Sequence, residues 1–405
     1  MNTTVINEKM DLRKDVQTIS VVCLAHATSH FAQLLLPLMF PLFIKVFGFN
    51  YAQLGFLMTV FFVVSGIGQT SSGFIVDKLG PLPVMIASVA IMMLGCFWAA
   101  IANSYTDLVG VAALLGLGNS SFHPVDFTIL NHRISNKRLG YAFSAHGLTG
   151  YLGWTVASLF MVAMTSAFGW HVAYAGAGVL YLLTLCMVVV YRDLLYTDAH
   201  KTPRTALQGV GFDFLRFPVV WWCFGFFMFS TITLAVVQTF SVSILQAVHL
   251  VSFESANFTL TAYLVCAAAG MFLGGFVSAK FNQYSEKVVA ICMSVGALML
   301  LLCATGWLGG IGTMVVLAST GLALGIGGPS RDMLIKKATP QGATGRVYGM
   351  VYSGLDVGFA VSPVIFGMFM DKGMFYAPLV GAAMALGVGV LMALKVGTQI
   401  ESDRV

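Results

Sequence analysis

The chain has 405 residues, of which 58% are hydrophobic and 9% charged, and its formal net charge is +5. Water-soluble domains carry about 25% charged residues, so this composition excludes a soluble globular fold and points to a chain embedded in a bilayer. The length accommodates a dozen apolar spans of about 20 residues each.

In chain order, the basic, Asp-containing segment Met1–Asp15 leads into an apolar run longer than a signal-peptide core, so no cleavable leader is expected. Apolar segments broken by charge or by Gly, Pro or Asn then predict twelve spans, at 17–46, 51–76, 82–102, 106–131, 138–165, 170–191, 218–246, 255–279, 287–307, 311–335, 344–370 and 375–395. The longest polar connector, 192–217, divides the chain into an N-terminal half (1–191) and a C-terminal half (218–405) of six spans each. The seven cysteines lie in apolar stretches without metal-type spacing and read as small buried hydrophobes, not disulfide partners.

Basic residues orient the spans. With both termini inside, eighteen of the 21 Lys and Arg fall on the cytoplasmic side, only Lys45 and Lys372 fall outside, and Arg331 lies within a span. The positive charge is therefore a topology signal of a multi-pass inner-membrane protein, and no nucleic-acid partner is expected.

The halves repeat. Gly73-Phe74-Ile75-Val76-Asp77-Lys78, closing span two, resembles Gly275-Phe276-Val277-Ser278-Ala279-Lys280, closing span eight. Pro124-Val125-Asp126 in span four matches Pro329-Ser330-Arg331-Asp332 in span ten, which predicts a similar bend in each half. Parallel repeats of this kind place a shared site near the midplane. The segment GFIVDKLG (73–80) resembles the loop signature of the major facilitator superfamily, and twelve spans with a long central loop match that family over the whole chain. AHATSHFAQLLLPLMFPLF (25–43) and GLGNSSFHP (116–124) are similar to fosmidomycin-resistance-type carriers. The resemblance implies an all-α membrane fold of twelve transmembrane helices in two parallel six-helix halves. It also implies gating by Asp77, with Gly73, Lys78 and Gly80, against the start of span eleven, and a cavity lined by spans one, four, seven and ten. The chain departs from the family where Pro81 and Leu82 replace the basic pair of the signature, and where Ala112 replaces an arginine.

Ionisable side chains inside spans are costly and mark function by default. At about 1.5 Å per residue, Asp126 lies roughly 10 Å, His146 roughly 12 Å, and His123 and Asp356 roughly 15 Å from the cytoplasmic end of their spans. Arg331 lies roughly 7 Å in, and His26 at most roughly 18 Å, with His30 one turn further. Most of these groups thus converge on one depth. Helical spacing puts Asn119, His123 and Asp126 on one stripe of span four, and His26, His30 and Gln33 on one stripe of span one. Asp126, His123, Asp356 and His146 are the candidates for proton coupling. His26, His30, Gln33, Asn119, His123, Gln238 and Arg331 are the candidates for substrate binding. Each has a structural alternative: backbone-satisfied histidines, a local His123–Asp126 pair beside Pro124, a permanent ion pair for Arg331. Asp332, adjacent on the helix and about 100° away, is not the expected partner of Arg331, whereas Asp126 or Asp356 is. A metal is not expected, because no Cys or Asp is placed to complete a His26–His30 pair, and no cofactor is expected either.

The expected function is secondary transport of a small organic anion or amphiphile by alternating access, coupled to protons, with efflux by proton antiport. Proton-symport uptake of an organic acid, or lipid translocation, stands as the alternative. Enzyme chemistry is not expected. The expected partners are a small-molecule substrate, protons and the lipid bilayer, with the chain working as a monomer.

Overall fold

The computed structural model describes residues 2–135, 138–197, 216, 218–338 and 344–402. Among them it contains twelve helical stretches long and apolar enough to cross a membrane, as the hydropathy pattern predicts. Helices are the form a spanning chain takes here, because each backbone N–H and C=O must find its partner without water. In chain order they are α1 (Asn2–Leu35), a 3-10 turn at Pro37–Met39 and α2 (Phe40–Phe47), then α3 (Tyr51–Leu79), α4 (Pro81–Ile101), α5 (Tyr105–Asn119), α6 (Phe122–Arg133), α7 (Leu139–Phe168), α8 (Trp170–Val190) and α9 (Arg192–Leu195). The second run is α10 (Pro218–His249), α11 (Phe253–Lys280), α12 (Ser285–Ala304), α13 (Gly309–Ala338), α14 (Thr344–Asp371) and α15 (Ala377–Ser402).

By their contacts the residues fall into two units, Met1–Leu36 with Val63–Ala206, and Pro37–Phe62 with Leu207–Val405. In the first, α1 packs on α7 and α6, and α4 on α5, α6 and α8. Buried tyrosines tie α8 to α1, with Tyr174 donating to the Leu35 carbonyl at 2.8 Å and Tyr181 to that of Thr28 at 2.6 Å. At one end of this unit Asp15 accepts from Arg138 Nε at 2.7 Å and from Ser135 Oγ at 2.8 Å, fixing α1 to the start of α7. In the second unit, α10 packs on α14 and α15, α11 on α13, and α12 on α13 and α15. Gly153 sits against the backbone of Ala27, and Gly325 against that of Ala267, so glycine lets these helices approach closely.

Three expectations need correction. Span four is two helices, broken at Ser120–Ser121, while α13 runs unbroken through Pro329, so the predicted bend is not repeated. Pro124 is the third residue of α6, where its missing N–H has no intrahelical bond to lose. The break also dissolves the stripe of span four, for Asn119 ends α5, His123 is exposed on α6 and Asp126 is fully buried. Finally, among the cysteines Cys186 is exposed, on an outer face of α8 shared with Leu182, Leu183, Val189 and Val190.

Candidate functional site

In the first unit three helices converge on one carboxylate. Asp126, on α6, is 0% exposed, and its Oδ2 lies 2.9 Å from His26 Nδ1 on α1 and 3.0 Å from His146 Nε2 on α7. When Asp126 is ionised both ring nitrogens donate to it, because a carboxylate only accepts. That fixes both tautomers and leaves His26 Nε2 and His146 Nδ1 as lone-pair acceptors. The two imidazoles stack with centroids 3.5 Å apart and an interplanar angle of 27°. Two imidazolium rings at that distance repel by roughly 5 kcal/mol at an effective dielectric of about 20, so the stack does not hold two positive charges together. The second carboxylate oxygen, Asp126 Oδ1, is buried without a hydrogen-bond partner.

Around this core the rings continue in both directions. His123 is the exposed member, its centroid 5.4 Å from His26 and 6.1 Å from His146. His30 meets His26 edge-on at 4.8 Å and Trp154 at 4.5 Å, and its Nδ1 is buried without a partner. Gly150 makes room for it: a Cβ there would lie 2.9 Å from Cε1 and 3.0 Å from Nε2 of His30. The predicted stripe of His26, His30 and Gln33 on span one is therefore present on α1, facing α6 and α7.

One turn beyond, a directional hydrogen-bond chain crosses four helices. Trp154 Nε1 donates to Gln33 Oε1 at 3.0 Å, Gln33 Nε2 to Asn119 Oδ1 at 3.3 Å, and Asn119 Nδ2 to Ser65 Oγ at 2.8 Å. Indole is a donor only, so Trp154 sets the direction of every bond after it. Trp154 and Ser65 were not among the sequence candidates, although a buried indole N–H in a lipid-embedded helix is itself a signal that an acceptor is near. Asn119→Leu should leave Gln33 Nε2 without an acceptor and Ser65 without its donor, costing roughly 1–3 kcal/mol for each orphaned buried group. The check is a lowered melting temperature in detergent, with Ser65→Ala much milder.

Three imidazoles, those of His26, His123 and His146, bring ring nitrogens within 4.8 Å of one another, with Asp126 beside them. The expectation that no Cys or Asp is placed to complete a His26–His30 pair is thus corrected for His26, which is joined by His123 and Asp126 from α6 and His146 from α7. Zinc bonds of about 2.0–2.1 Å in tetrahedral geometry place ligand nitrogens roughly 3.4 Å apart.

Arg331, Asp356 and Gln238 lie in the second unit, and the gating candidates lie in the first. Arg331, on α13, donates from Nε to Asp332 Oδ1 at 2.9 Å, and its guanidinium lies 5.1 Å from the Phe227 ring centroid. Its neighbour in sequence is thus a partner after all, because a long guanidinium reaches sideways around the helix. Asp126, the other expected partner, is engaged by histidines instead. Asp356 is half-buried on α14, and among the described residues it makes no ion pair. Gln238 is buried on α10 with Nε2 unpartnered. Gly73 and Lys78 lie in the last turns of α3 and Gly80 joins α3 to α4, while the side chain of Asp77 lies outside the described residues.

The family model described as Major Facilitator Superfamily matches residues 22–250 and 238–403, almost the whole chain. The chain belongs to the major facilitator superfamily. Among its relatives in this superfamily is a probable sulfoacetate transporter of Cupriavidus necator, 22% identical, with 95% of this chain and 94% of that protein covered. Another is the fosmidomycin resistance protein of Escherichia coli, 24% identical over 65% of this chain and 66% of that protein. The crystal structure of a bacterial homolog of the human lysosomal transporter Spinster shares the fold, with a TM-score of 0.72 at 14% identity over 94% of this chain and 95% of that one. As a major facilitator protein the chain stands among transporters and not among enzymes.

Proposed function

We propose that this major facilitator protein is a proton-coupled secondary transporter that exports a small organic anion or amphiphile by proton antiport. We place it in the bacterial inner membrane with both termini cytoplasmic, working by alternating access. The observation that carries this reading is the buried Asp126 carboxylate held by two imidazoles from two other helices. Charge-assisted hydrogen bonds are about twice as strong as neutral ones, so a proton on Asp126 weakens its ties to α1 and α7 together. Exposed His123 is the entry point for that proton, and the stacked His26–His146 pair, limited to one positive charge, passes protons singly. Proton occupancy then biases which conformation is populated.

An anionic cargo is supported by the sulfoacetate named for one relative and by Arg331, which cannot deprotonate. Export is supported by the resistance function named for another. The sulfoacetate relative covers more of the chain and favours a second reading, proton symport of an organic acid. Proteoliposomes with an alkaline interior, preloaded with radiolabelled sulfoacetate or fosmidomycin, separate the two. Antiport empties loaded vesicles as protons enter, whereas accumulation from outside overturns export and supports symport. In the same assay Arg331→Ala should weaken the half-saturation of the anionic probe several-fold with a smaller effect on maximal rate. An unchanged value removes Arg331 from the substrate site.

A further inference from the structure

The start of α3 is built on the end of α14. The first N–H groups of a helix have no partner within it. At α3 the work of satisfying them is divided. Gln53 N–H donates to Asn50 Oδ1 at 2.8 Å, while Asn50 N–H donates back to Gln53 Oε1 at 3.0 Å, a local reciprocal cap. Tyr51 N–H and Ala52 N–H instead donate to a residue 320 positions away, Asp371, the last of α14, at 2.7 Å to Oδ1 and 2.9 Å to Oδ2. A carboxylate is the favoured charge at a helix N-terminus.

Behind the cap the two helices run antiparallel in close contact. Gly367 lies against the Tyr51 carbonyl and Gly55 against that of Pro363, with no room for a Cβ at either. Thr59 Oγ1 donates to the Ala360 carbonyl at 2.5 Å, and Phe62 stacks on Phe359 with centroids 4.3 Å apart at 11°. The contacts of α3 then change owner. Its residues up to Phe62 belong to the second unit and those from Val63 to the first, within one unbroken helix. A movement of one unit against the other must therefore deform α3 or release Tyr51–Phe62 from α14. The cap is suited to release, because Asp371 is exposed and its two bonds can be exchanged for water.

We propose that Asp371 is a positioning residue of the transport cycle, a reversible latch that caps α3 when its first half is seated on α14 and lets go when it is not. Asp77 lies 26 residues further along α3, roughly 39 Å at 1.5 Å per residue, so the two aspartates serve opposite membrane faces. The proposal rests on the transporter reading but on neither proton coupling nor substrate.

The test uses the full chain in proteoliposomes, with Asp371→Ala, Asp371→Asn and Asp371→Glu. Hydrogen exchange at the Tyr51 and Ala52 amides should rise at least tenfold in Asp371→Ala and less in Asp371→Asn, with protection restored in Asp371→Glu. The Gln53 amide, capped by Asn50, should stay as in the parent. Unchanged exchange at Tyr51 and Ala52 overturns the cap. Spin labels at positions 50 and 374, with the native cysteines replaced, then report on the latch. Asp371→Ala should enlarge the long-distance population several-fold at an unchanged melting temperature. A distance distribution identical to the parent overturns the latch and leaves the cap a static feature. Because none of these readouts involves Asp126, loss of gradient coupling on other grounds leaves the result standing.

Discussion

Asp126→Asn is expected to abolish gradient-driven transport while the protein stays folded in the membrane. The amide keeps a carbonyl oxygen that accepts from His26 and His146, so both buried donors remain satisfied and the join of α1, α6 and α7 survives. It can neither lose nor gain the proton, so position 126 no longer changes charge as the cluster is exposed to one side or the other. Asp126→Leu differs in kind: it strands two buried N–H donors at roughly 1–3 kcal/mol each and should lower stability as well as activity. Melting temperature and vesicle flux, measured on both variants, separate the roles. Full gradient-driven flux in Asp126→Asn removes Asp126 from coupling.

The second large effect concerns the two histidines that share the carboxylate. His26→Ala and His146→Ala each remove one hydrogen bond to a charged group, about 1.5–3 kcal/mol. The double variant leaves a fully buried carboxylate with no donor, so at neutral pH its cost should exceed the sum of the single costs by about 0.5–3 kcal/mol. The sign follows from which form is penalised. Loss of donors disfavours ionised Asp126, so the excess is present where that group is charged and fades as pH falls and it takes up a proton. Denaturant unfolding of the four proteins at neutral and acid pH measures this. Simple additivity at neutral pH contradicts a shared carboxylate.

Much of the fold was legible because lipid leaves so few choices. Apolar run length gave twelve spans, and the stripe of His26, His30 and Gln33 on span one follows from helical spacing alone. Common depth flagged Asp126, His123 and His146 as a group. Their pairing was not legible, for His26 and Asp126 lie 100 residues apart and only tertiary packing brings α1 to α6. The break at Ser120–Ser121 carries neither glycine nor proline, so the nearby Pro124 drew the bend to itself and kept Asn119, His123 and Asp126 on one imagined face. The Arg331–Asp332 pair is hidden from angular offset alone, because the arginine side chain is long enough to reach sideways around the helix. Asp371 sat beside a predicted short loop, where an acidic residue looks like ordinary solvated polarity, and nothing local says that it caps a helix 320 residues earlier.

The central claim is that the Asp126 carboxyl gains and loses the coupled proton, and infrared difference spectroscopy reads that group directly. Spectra of the protein in lipid, recorded across a pH titration, should show the carbonyl stretch of a protonated carboxyl appear at low pH and vanish at high pH. That band should be missing from Asp126→Asn and shifted in His26→Ala and His146→Ala, whose imidazoles donate to the carboxylate. A titrating carboxyl band that is identical in the parent protein and in Asp126→Asn would contradict the account.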